Sequence, residues 1–200
     1  MESIKNSFKA NTPIFTNELL DYFMKKYSRA RSFQLIKNLV DKKELVQYSK
    51  GIYYFSEGGY KMSISEIIEK KYLNDNGNKV GIYSGETLKY QLLNKKLNKN
   101  KIEVITNNET NIVRSLNIND NIVYLRKARC KINDENIAAY TLLELLSNNK
   151  LEKGEKLYNR VVGYINDNKI NSKDIISLAG YFPHKTFKNL NDSGLMQILN

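Results

Sequence analysis

Between Ser28 and Phe55 the apolar spacing changes from helical to strand-like, and few small folds accommodate that change. Phe33, Ile36, Leu39 and Val40 recur at helical intervals and form one stripe that must be buried. Ser28 sits where an N-cap belongs, and Lys42-Lys43 where such a helix should stop. Leu45 to Tyr48 and Ile52 to Phe55 then read as two strands, joined by Ser49-Lys50-Gly51, where glycine supplies the positive φ of a short hairpin loop.

Two shorter helices precede this segment. One opens at Ile4 and Phe8 and breaks at Asn11-Thr12-Pro13; the next follows Thr16, a good N-cap residue, with Leu19, Leu20 and Phe23 on its apolar side. Helix, helix, helix and hairpin is the order of a winged helix-turn-helix, with the turn between its second and third helices at Lys25 to Arg29. The reading is therefore α+β: a winged helix-turn-helix over residues 1–60, followed by a mixed α/β domain over 63–200 that ends in helices.

Glu57-Gly58-Gly59-Tyr60 is the expected linker, because Ser63-Ile64-Ser65-Glu66 directly after it is a capping box that opens a new helix. Beyond it the pattern predicts a helix from Ile64 to Leu73, a strand from Val80 to Tyr83 and a helix around Thr87 to Leu93. Strands are expected at Ile102 to Thr106, Ile112 to Leu116 and Ile122 to Lys127, with Arg129 to Ile132 as a further candidate. Helical spacing returns at Ile137 to Leu146, Leu157 to Ile165, Ile175 to Tyr181 and the closing Leu195 to Leu199.

Charge narrows the partner class. Lys and Arg number 32 against 21 acidic residues, a formal charge of +11, which favours phosphates or anionic surfaces. Asn and Lys are used heavily from end to end, so part of this charge is a compositional background. The first segment is the denser one, with 11 basic against 6 acidic residues up to Lys61 and 21 against 15 after it.

On a wheel of about 100° per residue, Arg31, Gln34 and Asn38 fall opposite the apolar stripe of the third helix. Arg pairs with guanine and Gln or Asn with adenine, so these three are the candidate base-reading side chains. A polar face opposite a buried stripe is expected in any case; this particular trio is the less common part. Ser28, Arg29, Ser32 and Lys37 flank it as candidate phosphate contacts, and Lys50 at the hairpin tip is another. Tyr48 and Tyr53 beside that tip are read as packing residues.

Several of these patterns together resemble one family. Phe15-Thr16, Ser28-Arg29, Leu39-Val40-Asp41-Lys42-Lys43-Glu44-Leu45 and above all Lys50-Gly51-Ile52-Tyr53-Tyr54 look like the AbiEi-type antitoxins of bacterial abortive-infection, type IV toxin–antitoxin systems. Tyr83-Ser84-Gly85-Glu86-Thr87-Leu88 occupies the place of that family's Ser-Gly-containing strand-to-helix turn. The resemblance implies a repressor that binds its own promoter as double-stranded DNA, with inverted repeats as the expected site. It also implies that the second domain counteracts a nucleotidyltransferase-like toxin. The competing reading is a metabolite-responsive winged-helix regulator without a toxin partner, its ligand held in the mixed α/β part.

Nothing in the sequence points to an enzyme, a metal or a cofactor: a P-loop, Gly-x-Gly-x-x-Gly, His-Glu-x-x-His and zinc-type cysteine pairs are all missing. His184 follows Pro183 in an expected helix-capping region and has no evident orienting partner, and Asp134-Glu135 is explained by the helix start that follows it. Leu142, Leu143, Leu145 and Leu146 read as core. Cys130, the lone cysteine, fits a reducing compartment. Met1 to Lys5 lacks a signal-peptide core and no stretch reaches roughly 18 apolar residues, so the expectation is a cytoplasmic protein without a membrane partner.

Overall fold

A computed structural model describes residues 2–96 and 101–199, and its contacts divide the chain into Met1–Lys70 and Lys71–Asn200. The chain is mixed α and β throughout. Among the described residues no helix is long and apolar enough to cross a membrane.

In the first unit, α1 (Glu2–Ser7) precedes a short strand β1 (Ile14–Phe15), then α2 (Thr16–Phe23), α3 (Arg29–Asp41) and the hairpin β2 (Val46–Ser49) and β3 (Ile52–Tyr54). The three strands form one antiparallel sheet in the order β1-β3-β2. Ile4, Ile14, Leu19, Leu20, Ile36, Leu39, Leu45 and Phe55 close its core. Full burial of each is worth about 1.5–3 kcal/mol, so the helices and the sheet hold one another in place.

Several local expectations change here. Thr16 is the first helical residue and not the N-cap; Phe15 holds the cap position, and its N–H donates to Glu18 Oε2 at 2.7 Å. Pairing of Ile14 with Tyr53 and Phe15 with Ile52 pulls Phe15 into a strand, too short a feature to show in apolar spacing. Glu18 also binds Lys70 at 2.7 Å, and Lys70 reaches the Pro13 carbonyl. Gly51, at φ +80°, accepts the Thr16 N–H at 3.1 Å, so the hairpin loop and the start of α2 meet.

The capping box at Ser63 and Glu66 opens α4 (Ile64–Ile68), but that helix then widens into a π-helical turn over Glu69–Leu73 instead of continuing regularly. Tyr60 also donates its hydroxyl to Glu66.

The second unit begins with a small hairpin, β4 (Asn74–Asp75) and β5 (Asn78–Lys79), absent from the sequence reading. Next come β6 (Gly81–Tyr83), α5 (Gly85–Leu92), β7 (Ile102–Thr106), β8 (Val113–Ile118) and β9 (Asn121–Lys127). These make a four-stranded sheet in the order β6-β7-β9-β8, with β7 and β9 parallel and the other pairs antiparallel. Arg129 to Ile132 is not a strand; its Ile132 N–H and carbonyl are taken by the Asn107 side chain.

Helices α6 (Ile137–Asn148), α7 (Lys156–Asp167), α8 (Ser172–Ser177) and α9 (His184–Asp192) complete the unit. The segment expected as one helix from Ile175 to Tyr181 is α8 followed by a 3₁₀ turn at Ala179–Tyr181, and the closing segment is another 3₁₀ turn. Helix α9 starts directly after Pro183, which holds its N-cap position, and its apolar stripe is thin. It is held by polar contacts to the end of α6: Asn189 donates to the Leu146 carbonyl at 2.8 Å, and Thr186 pairs with Ser147. Leu142, Leu143, Leu145 and Leu146 are all buried.

At the start of α5, Gly85 has φ +54°, and an added Cβ would lie 2.2 Å from Glu103 Oε2. That carboxylate accepts the Glu86 N–H at 3.1 Å, while Thr87 Oγ1 accepts the Glu103 N–H at 2.9 Å. Gly85→Ala should therefore lower stability by more than about 1 kcal/mol, through both the φ penalty and displacement of Glu103, measured by urea unfolding.

Tyr140 gives a pH prediction. Burial first, then the facing Glu144 and Cys130, pushes its phenol up to about 12 against the opposing pull of the Arg129 N–H and charge. The raised folded value means its contribution is complete below the ordinary value of 10 and is lost as pH rises towards 12. Unfolding midpoints measured from pH 9 upward should fall more steeply for the native chain than for Tyr140→Phe.

Candidate nucleic-acid interface

Helix α3 starts where Ser28 turns from extended backbone, and its hydroxyl accepts the Arg31 N–H at 3.3 Å. Its inner face carries Ile36 and Leu39 in the core, with Leu35 and Val40 half-buried beside them. The outer face follows from helical geometry: Arg31, Gln34 and Asn38 are all exposed and share one side. Arg31 Nη1 donates to Gln34 Oε1 at 3.2 Å, so these two are already aligned with each other.

Two residues differ from expectation. Phe33, assigned to the buried stripe, is 44% exposed, because the core lies nearer the Ser32–Leu39 side of the helix. Its ring instead lies 5.9 Å from the Arg29 guanidinium, an exposed cation–π pair. Ser32, assigned to phosphate, is fully buried, and its hydroxyl donates to the Ser28 carbonyl at 2.9 Å. It is therefore removed from the candidate interface.

Arg29, Lys37 and Lys50 remain exposed, as does Ser28, although the Ser28 hydroxyl is engaged as a cap. Lys50 stands at the turn of the β2–β3 hairpin; Tyr53 beside it packs against the core. Asp41, exposed two turns beyond Gln34, gives the end of the same face one negative charge, so the positive character is strongest near the start of α3.

Sequence reasoning missed Lys25, Lys26, Tyr27 and Lys42, which with Asn38 line a cavity of about 520 Å³ alongside α3. The Lys25-Lys26-Tyr27 run in the turn was the available signal, but only folding brings Lys42 beside it.

In the second unit the densest polar cluster surrounds Glu144, which is fully buried. Its Oε1 accepts from Arg126 at 2.6 Å and from Asn148 at 3.1 Å, and Arg126 also reaches the Ser84 hydroxyl. Arg129 lies 3.8 Å from the other carboxylate oxygen and stacks on Phe182. These contacts tie β9 and the β6–α5 turn to α6.

Partial burial pushes the Cys130 thiol above its ordinary value, which favours the protonated form. Asp134 accepts the Lys79 N–H at 3.3 Å, so it is engaged by β5 and not only placed ahead of α6. His184 is exposed at the first turn of α9. Among the described residues, no group of three or more His, Cys, Asp and Glu side chains is placed to hold a metal ion. Comparison of the chain with protein-family models, curated proteins and solved structures yields no match.

The burial of Ser32 separates it from its neighbours on α3. Ser32→Ala should leave affinity for a DNA duplex within about twofold, whereas Lys37→Ala should weaken binding to any sequence and reduce the salt slope by about one. Fluorescence anisotropy over a salt series measures both.

Proposed function

We propose that the chain is a sequence-specific DNA-binding repressor whose first unit is a winged helix-turn-helix. The observation that carries this reading is the outer face of α3, where Arg31, Gln34 and Asn38 stand exposed on one side. Arg29 and Lys37 flank them, and the neighbouring hairpin ends in exposed Lys50. An exposed helix of this width fits a major groove, with the basic flank on phosphates and the amide and guanidinium groups on base edges.

The element order supports the same reading: α2, a short turn and α3, followed by a two-stranded hairpin that β1 extends to three strands. A net charge of +11 supplies the sequence-independent attraction on which base reading is built. The resemblance to AbiEi-type antitoxins extends the proposal: the chain represses its own promoter, and its second unit counteracts a nucleotidyltransferase-like toxin. The strand-to-helix turn at Tyr83–Leu88, with Gly85 at positive φ, fits the form that the resemblance implies.

The test is binding of the full chain to its own upstream DNA and to a scrambled duplex at near-physiological salt. The expected preference is roughly a thousandfold. Arg31→Ala with Gln34→Ala should erase most of it, since each well-formed base contact contributes about 1–3 kcal/mol. Equal binding to both duplexes, or a preference that survives the double change, rejects the reading of α3.

A further inference from the structure

The first unit holds a second feature, which shares only Asn38 with the proposed DNA-reading face. Beside α3 lies the cavity of about 520 Å³, within the ~300–1,000 Å³ of small-molecule sites. Its floor is apolar: Ile4 and Leu39 are buried, and Tyr22, Phe23 and Leu35 are half-buried, with part of each surface left open. Its rim is cationic. Lys25 and Lys26 come from the α2–α3 turn and Lys42 from the end of α3; all three are exposed, and none makes an ion pair among the described residues.

We infer that this cavity binds a small organic anion with an apolar body, a carboxylate or sulfonate carrying one or two rings. The two halves of the site call for the two halves of such a ligand. An apolar body covers ring and leucine surface that otherwise faces water, at about 25 cal/mol per Å². The anionic head meets three ammonium groups, and among the described side chains that line the cavity none is acidic. A bare phosphate or a DNA backbone would satisfy the lysines and leave the floor wet, while a neutral apolar molecule would leave the lysines without a counter-charge. Tyr27, half exposed at the rim, offers a ring edge against the ligand body. The site stands whether or not α3 reads DNA.

The test is a titration of the isotopically labelled full chain by NMR with naphthalene-2-carboxylate, its neutral isostere 2-naphthamide, and inorganic phosphate. Saturable shifts of the Tyr27, Leu35 and Asn38 amides by the carboxylate are expected, with the amide and the phosphate each at least about tenfold weaker. Lys25→Gln, Lys26→Gln and Lys42→Gln together should weaken the carboxylate about tenfold without lowering the unfolding temperature, because all three side chains are exposed. The inference is overturned by non-saturating shifts, by shifts centred away from α1, α2, the Lys25–Tyr27 turn, α3 and Lys42, by an amide or phosphate that binds as well, or by an unchanged affinity in the triple variant.

Discussion

Leu19, Leu20, Ile36 and Leu39 are buried together with Ile14, Leu45 and Phe55, and this contact between two helices and a small sheet governs everything proposed for the first unit. It fixes the rotation of α3 about its own axis. Once Ile36 and Leu39 point inward, Arg31, Gln34 and Asn38 point outward together, because residues three, four and seven apart share a face. The hairpin is bound to the same core through Leu45 and Phe55, and through the hydrogen bond from the Thr16 N–H to the Gly51 carbonyl. Lys50 is therefore presented by a turn whose two strands are anchored.

The second unit is organised by polar constraints inside an apolar frame. Glu144 would be costly to bury alone, and Arg126, Asn148 and Arg129 surround it. Because Arg126 lies on β9 and also reaches Ser84, one carboxylate on α6 sets the position of two separate parts of the sheet. Gly85 and Glu103 add a second constraint, in which a backbone turn open only to glycine admits the carboxylate that binds the first turn of α5. The buried Glu144 thereby holds β9 and the β6–α5 turn to α6.

Helix α3 thus has two differently built flanks. Arg29 and Phe33 pair on one side, while Asn38 and Lys42 border the cavity on the other. A small anion in that cavity would lie against a side chain also assigned to base reading, so the proposed ligand and the proposed DNA site share Asn38.

Much of this was legible in the sequence, because apolar spacing reports burial directly. The Ser28 cap, the extent of α3, the hairpin around Gly51, the Ser63 capping box and the buried leucines of α6 follow from residue type and local period alone. So does the exposed trio on α3, since fixing one helical face fixes the opposite one. Tertiary structure decided what period cannot carry. Phe33 and Ser32 lie 100° apart at the edges of the stripe, and the position of the rest of the core determined which of them went inside. Strand β1 exists only because β3 offers it partners, and the lysine rim because folding brings Lys42 beside Lys25 and Lys26. Each of these depends on groups distant in sequence becoming neighbours, and a local pattern holds no record of that.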